Sequence, residues 1–555
     1  LDLTAAGRLD PGRVALHRMN RAEYVNAIRD LLALEIDGPA LLPDDLSGLG
    51  FDNNADVLSI TPALMARYLS AATKVSRLAV GSDTIRPVSQ VYQALEFGRQ
   101  NVRQGDELPF GTHGGLAVRH TFPLDGEYGF KVRLQRNRVG NTIRGIDDLR
   151  EIEVRLDHGL LQTFEVGGEY RGTDPGILIA IAEDEVEAQH LHTYRLTADD
   201  HLEVRATVEA GTRLVSVAFS DAAAGVSERV PLRPRSLKGA FFTDDAGDPG
   251  IDTIEISGPF DGTTPADSPS RRRIFICAPT TAADELPCAR RVLSALARRA
   301  FRRPVTDADV DPLMAVYQEG RRQGDFETGI ERGLEALLVS PRFLMRMEAI
   351  PVDAQPGTIY RLTDLDLASR LAFFLWSSIP DDDLLRVAER GALREPGGLE
   401  QQVRRMLADR RADAFTDNFA SQWLITRNLE LAEPDPNQFP DFDDTLREAM
   451  LQETRLFIAD QVRGDHGVVD LLRADYTFLN ERLAEHYGVP GVYGSHYRRV
   501  PVADEARHGL LGHASVLTVT SYAHRTSVVL RGKWVLETLL GAPPPPPPPA
   551  VPPLD

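Results

Sequence analysis

Glu151-Ile152-Glu153-Val154-Arg155-Leu156 alternates charged and apolar side chains over six consecutive positions. An extended backbone sends successive side chains to opposite faces. Ile152, Val154 and Leu156 therefore share one face, and the stretch predicts a half-buried strand. The same alternation recurs at His201-Leu202-Glu203-Val204-Arg205-Ala206, at Arg213 to Phe219 and at Asp252 to Ile256, with Gly, Asp and Pro between. Several short strands separated by turn residues predict an antiparallel β-sandwich over residues 109–262.

On both sides of this segment the apolar period lengthens from two to that of a helix. Asn20 and Glu23 stand at capping-box spacing before Tyr24, Ala27, Ile28, Leu31 and Leu32; Thr61-Pro62 opens a second helix carrying Leu64, Met65, Tyr68 and Leu69. After a Gly/Pro/Ser/Thr-rich linker near 258–270, Leu293, Leu296, Ala297 and Ala300 line one face as far as Pro304, and Thr306 with Asp309 restarts a helix. Thr363 with Asp366 does the same before Leu367, Leu371, Phe374 and Leu375, and further helices are predicted at 397–409, 411–427, 444–463 and 478–487. The fold class is α+β multidomain, with mainly helical N- and C-terminal parts flanking the β-sandwich. The expected divisions are 1–108 helical, 109–262 sandwich, 263–350 helical with the cysteine pair, 351–490 helical, 491–542 a helical segment and 543–555 a polyproline linker.

The chain has 555 residues, more than one hydrophobic core usually serves, and 42 % of them are apolar. No run of 18 apolar residues occurs, so no membrane span is expected. A formal charge of −20 argues against non-specific binding to nucleic acid. Arg271-Arg272-Arg273 and the Arg298 to Arg303 cluster lie among acidic residues and read as solvated or ion-paired faces. Cys277 and Cys288 are the only cysteines and stand close together with Pro279 and Pro287 between them. They read as a disulfide closing a short loop, which favours an oxidising compartment. Two free or metal-binding thiols are the competing reading, against which no further Cys or His pair stands nearby at zinc-finger spacing. The chain opens at Leu1 without Met or a signal-peptide core, so an upstream segment is expected.

Five stretches together resemble one family: RMNRAEYVNAIRDLL (18–32), GFDNNADVLSITPALMARYL (50–69), CARRVLSALARRAFRRPVT (288–306), LTDLDLASRLAFFLWSSIPDDDLL (362–385) and RTSVVLRGKWVLETLLGAPPPPPPPAVPPL (525–554). The chain is identified as a member of the planctomycete-type surface-domain proteins that accompany cytochrome c modules, whose domains are of unknown function. The resemblance implies that the middle segment is a jelly-roll-like, carbohydrate-binding-module-like sandwich. It also implies a haem c domain with a CxxCH motif past Pro543 to Pro549. Neither CxxCH nor a third cysteine occurs in this sequence, and Val528 stands where the resemblance leads one to expect proline. A haem c is accordingly expected only in a domain beyond Asp555. Seven prolines form a stiff polyproline II spacer of roughly 20 Å at about 3.1 Å per residue.

Residues 508–534 hold His508, His513, His524, Arg525, Arg531, Lys533 and Trp534, the richest local set of ligand and anion-contact groups. One reading makes a histidine here the axial ligand of a neighbouring haem. The other leaves His508 and His513 on the surface or on turns beside Gly509 and Gly512, with the arginines in structural ion pairs. Asp244, Asp245, Asp248 and Asp252 crowd a Gly-containing loop; they suit calcium, which prefers six to eight oxygen ligands, or form a solvated acidic loop. Asp52, Asn53 and Asn54 either chelate or build an Asx turn. Trp376 and Trp423 read as core aromatics, and Tyr128 and Tyr170 are candidate sugar platforms. Gly-x-Ser-x-Gly, Walker, Rossmann and HExxH signatures are absent, and 82 acidic residues deprive any carboxylate pair of significance. These features predict a periplasmic, cell-surface or secreted accessory protein, with polysaccharide, a surface protein or a redox partner as its ligand. A haem-dependent oxidoreductase acting on polysaccharide or a small donor, and a structural subunit of a surface assembly, are the rival readings.

Overall fold

The structure is a computed structural model that describes residues 16–46, 50–138, 140–168, 186–220, 249–351, 355 and 359–545. Helix α1 (Arg21–Leu32) begins at Asn20, whose side chain accepts the Glu23 N–H at 2.7 Å while Glu23 accepts the Asn20 N–H at 3.0 Å. Two donors that every helix start leaves open are thereby satisfied together. The predicted face of Tyr24, Ala27, Ile28, Leu31 and Leu32 is buried. Helix α2 (Pro62–Val80) starts at the Thr61 cap, but its buried face is Tyr68, Ala72, Val75 and Ala79, and Leu69 is 49 % exposed. Alanines on the inner face let neighbouring helices approach closely, which Leu69 would prevent. The helix stops at Gly81 with φ +69, where a Cβ would meet Pro265 Cδ at 2.8 Å.

The chain then turns into strands: β1 (Val88–Gln93), β2 (Thr112–Phe122), β3 (Asp125–Leu134), β4 (Arg150–Leu156), β5 (Gly159–Val166), β6 (Glu203–Val208), β7 (Gly211–Ser220) and β8 (Ile251–Thr263). They form two antiparallel four-stranded sheets, ordered β1-β8-β3-β6 and β2-β7-β4-β5. Ile152 lies opposite Phe219 and Val154 opposite Val217 in one sheet; Phe130 pairs with Ile256 and Val132 with Ile254 in the other. All eight belong to one apolar cluster drawn from both sheets, while Glu151, Glu153 and Arg155 remain on the other face as the alternation requires. Two details differ from the sequence reading. β1 lies before residue 109 and is largely exposed, so its pattern is faint. β7 is buried from Leu214 through Phe219, because it is a central strand and its second face is covered as well. Helix α3 (Val186–Thr197) leads back into β6.

Helices α4 (Ala282–Ala300), α5 (Asp307–Gln323) and α6 (Phe326–Leu338) follow. Their apolar faces and those of α1 and α2 form one core, from Met19 to Val80 and from Ile274 to Leu344. A two-stranded pairing of His17–Arg18 with Met345–Arg346 closes this unit, and Arg346 reaches the capping Glu23 at 3.0 Å. The helical segments expected at 1–108 and 263–350 thus share one core, with both sheets inserted between them in sequence. Cys277 and Cys288 form a disulfide that ties the approach to α4 to its second turn.

The remaining helices are α7 (Asp364–Trp376), α8 (Asp382–Glu389), α9 (Gly398–Ala408), α10 (Asp444–Arg463), α11 (Glu481–Tyr487), α12 (Ala514–Val519) and α13 (Val528–Trp534), with strands β9 (Tyr476–Leu479) and β10 (Arg498–Pro501) paired among them. Trp376 is fully buried and donates to the Met406 carbonyl at 3.0 Å, whereas Phe374 on the same helix is 60 % exposed. The single helix expected at 411–427 is broken into a 3₁₀ turn, a π-helix at Phe415–Ala420, a short α-turn and a 3₁₀ stretch at Thr426–Leu431, with Ile425 at φ 61. The π-turn stacks Phe415 on Phe419 and Phe419 on Trp423, at ring-centroid distances of 5.1 and 5.9 Å. Residues 478 and 479, expected to open a helix reaching 487, belong to strand β9 instead, and the helix begins at Glu481.

Candidate functional site

Between α10 and the broken segment 415–431 lies a cleft of about 390 Å³. Residues with polar or charged side chains dominate its lining, among them Asp417, Ser421, Arg427, Glu448, Thr454 and Arg455. The far wall is held by a loop remote in sequence. Asp52 takes the Asn20 side-chain amide at 3.0 Å and Arg427 at 2.8 Å, while its own N–H donates to Gln422 at 2.7 Å. Phe51 stacks on Phe419. Asn54 closes an Asx turn on the Asp56 N–H, so the Asp52-Asn53-Asn54 motif supplies a turn and an interdomain clamp together. Arg455 pairs with Asp417, yet desolvation still pushes that carboxyl upward, and the cleft wall raises Glu448 as well.

Thr454 forms part of the cleft lining, and a buried chain of polar groups begins at it. Its hydroxyl lies 2.6 Å from Ser515 Oγ and 3.0 Å from His513 Nδ1; Thr477 Oγ1 lies 3.5 Å from His513 Nε2 and donates to Glu453 at 2.7 Å. Tyr487 donates to the other Glu453 oxygen at 2.6 Å and accepts the Ala514 N–H at 2.8 Å. Glu453 and Ser515 are wholly inaccessible and His513 is 1 % exposed. Removal from water disfavours charge on both titratable groups: it pushes the Glu453 carboxyl up to about 7 and pulls the His513 imidazole down to about 3. The arrangement can store and pass a proton out of contact with solvent.

The sequence-predicted cluster at 508–531 does not converge. His508 is half-buried and bonds the Val502 carbonyl at 2.9 Å, and His513 is a core residue set edge-on to Phe457 rather than a surface group on a turn. His524 and Arg525 sit on an exposed two-stranded turn beside Tyr522, and Arg531 lies on α13 with its Nε unpartnered. Among the described residues no three His, Cys, Asp or Glu side chains are grouped to hold a metal. Asp244, Asp245 and Asp248 lie outside the described residues; Asp252 is on β8, its carboxyl raised by burial. Tyr128 is 1 % exposed and donates to the Leu124 carbonyl, so it is a core residue and not a sugar platform; Tyr170 lies outside the described residues. Trp423 donates to the Thr538 carbonyl at 2.8 Å. Glu453 and Thr477 escaped the sequence reading because a lone Glu in a helix and a lone Thr in a strand carry no spacing signal.

A second cleft, about 760 Å³, opens in the two-sheet unit, lined by Asp147, Asp148, Glu165, Tyr194 and His201 with the Gly167-Gly168 backbone. Tyr194 OH accepts the Gly167 N–H at 2.7 Å, and His201 bonds the Glu165 carbonyl at 3.0 Å.

Four family models match the chain: PSD3, Protein of unknown function (DUF1587), at 17–81; PSD5, Protein of unknown function (DUF1595), at 288–348; PSD4, Protein of unknown function (DUF1592), at 362–489; and PSCyt3, Protein of unknown function (DUF1588), at 507–555. No curated protein and no solved structure shows a significant match. Each of the five stretches that suggested the family lies within one of these matches, and the two-sheet unit falls between the first and the second. The walls of the first cleft come from the PSD4 stretch, its clamp from PSD3, and the buried chain joins PSD4 (Glu453, Thr454, Thr477, Tyr487) to PSCyt3 (His513, Ser515). The chain is a multidomain protein carrying the planctomycete-type domains of unknown function PSD3, PSD5, PSD4 and PSCyt3, in that order.

Proposed function

We propose that the protein is an extracytoplasmic accessory component of a cytochrome-associated system, which presents a redox module at its C-terminal side and binds a polysaccharide or surface partner through its two-sheet unit. The observation that carries this reading is the PSCyt3 match at 507–555, in one chain with three PSD domains. The disulfide suits an oxidising compartment. In this reading the two sheets act as a carbohydrate-binding-module-like sandwich, and the second cleft receives the glycan. Carboxylates and a tyrosine hydroxyl in a concave site are groups that sugar hydroxyls bond, and the cleft is large enough for a short oligosaccharide. Retention of the full-length protein on a panel of insoluble polysaccharides, compared with its Glu165→Gln, Tyr194→Phe double variant, tests the binding role. Retention that weakens in the variant supports it, and no retention on any polymer removes the glycan. A Soret band in the protein isolated from its native source tests the redox association.

A further inference from the structure

The hydrogen bonds around His513 have a direction, and that direction depends on one proton. Thr477 donates to Glu453 Oε1 and Tyr487 to Oε2, so the carboxylate accepts on both sides. The oxygen of Thr477 is then left to accept from His513 Nε2, across a long 3.5 Å. Nε2 carries the ring proton in that case, Nδ1 is bare, and Nδ1 accepts the Thr454 hydroxyl at 3.0 Å. Thr454 in turn accepts from Ser515 at 2.6 Å. Every donor points toward Glu453.

A proton on Glu453 reverses the order. Tyr487 keeps its bond to Oε2, because the Ala514 N–H already occupies the tyrosine oxygen. The new proton therefore sits on Oε1 and faces Thr477, which must donate onward to Nε2. Nε2 is then bare, Nδ1 carries the ring proton and donates to Thr454, and Thr454 donates to Ser515.

We infer that Thr454, His513, Thr477 and Glu453, with Ser515 as the buried hydroxyl partner of Thr454, form a proton wire across the joint between the PSD4 and PSCyt3 domains, in which His513 changes tautomer each time Glu453 gains or loses a proton. The shift balances. A hydronium in the cleft that Thr454 lines gives it a proton and becomes water, and the Ser515 hydroxyl turns from donor to acceptor. Thr454 passes one to Nδ1, Nε2 gives one to Thr477, and Thr477 gives one to Oε1. Only Glu453 ends with a net proton, and His513 stays neutral throughout.

The charged and titratable neighbours favour this division of labour. Arg507, whose guanidinium lies 4.3 Å from the Tyr487 ring centroid, draws the Glu453 carboxyl down and also opposes charge on His513. Tyr487 on α11 and Tyr497 ahead of β10 are kept protonated by burial and by the charge of Glu453, and Glu448, on the same helix as Glu453, acts on Tyr497 in the same sense. His486 on α11 is pulled down to about 4 by burial. Burial prevails over Arg507 at Glu453, so the carboxyl titrates near neutrality while the ring only changes tautomer.

Imidazole nitrogen NMR of the full-length protein labelled with ¹⁵N-histidine, at about pH 5 and about pH 9, reads the tautomer directly. The His513 signal is the one lost in His513→Gln. Should that variant not fold, it is the signal whose pattern at about pH 9 differs between the wild type and Glu453→Gln. The expected result is the Nδ1–H tautomer at low pH and Nε2–H at high pH, with the midpoint at which the infrared carbonyl stretch of a protonated carboxyl group disappears. In Glu453→Gln the amide donates to Thr477 and its oxygen takes Tyr487, so the Nδ1–H form persists at both values. A single tautomer in the wild type, an imidazolium at the lower pH, no titrating carboxyl band, or a switch that survives in Glu453→Gln would overturn the inference.

Discussion

Glu453 and His513 are buried together, but they push the pH dependence of stability in opposite senses. The folded carboxyl is raised from 4.5 to about 7, so its contribution is fully present below the lower value and is lost as pH climbs through the upper. At most that amounts to about 3 kcal/mol, at 1.36 kcal/mol per unit. The His513 ring is depressed from 6.5 to about 3, so its contribution is present above the higher value and is lost as pH falls toward the lower. The two trends oppose each other over much of the acidic range, and close to neutrality the loss from Glu453 stands alone. Glu453→Gln should therefore raise the urea midpoint relative to wild type at about pH 8 and leave it nearly unchanged at about pH 4. An equal shift at both values would mean that the carboxyl is not held up by burial. Neither residue was recognisable in the sequence for what it is. His513 was visible only as one histidine among several beside glycines, and whether such a side chain turns inward depends on β9 and α10, which are distant in sequence.

Among the elements, those fixed by local chemistry were legible. The Asn20 and Glu23 pair marks the start of α1 to the residue, and residues 444–463 form the expected helix. The segment 411–427 was not legible, because its π-turn is justified by contacts the local sequence does not contain: Phe51 on Phe419 and Asp52 on Arg427. Asp52→Ala should therefore act at a distance. It removes acceptors from Asn20, Gln422 and Arg427, costs about 1–3 kcal/mol, and should speed amide exchange in residues 415–431 more than in α1 itself. Uniform acceleration across the chain would contradict the clamp. Gly115 is a second point of rigidity. It has φ +104 beside a register shift between β2 and β7, and a Cβ there would lie 2.4 Å from the Val217 carbonyl oxygen. Gly115→Ala should destabilise the two-sheet unit by about 2–4 kcal/mol, visible as an early transition in calorimetry.

For the whole molecule, apolar periodicity predicted the helical parts around an antiparallel β segment that are found, and no helix among the described residues is long and apolar enough to cross a membrane. The sequence did not disclose that residues 19–80 and 274–344 complete one core, since apolar periodicity shows that a face is buried but not against what. The Cys277–Cys288 bridge stabilises this unit where its second half begins. Cys277→Ser with Cys288→Ser opens a loop whose ends are 11 residues apart and should lower stability by about 3 kcal/mol, read as the denaturant midpoint of the oxidised wild type against the variant. The split core also has a consequence for biosynthesis. As the chain leaves the ribosome, α1 and α2 emerge ahead of α4 to α6 with Tyr24, Tyr68 and Val75 exposed. Residues 81 to 273, both sheets included, must be made before α4 to α6 arrive to cover those side chains. Throughout that interval the leading helices are sticky nascent chain. A translation arrest or truncation ahead of residue 274 should hand them to chaperones and proteases, while the same interruption after residue 344 should release a folded N-terminal part.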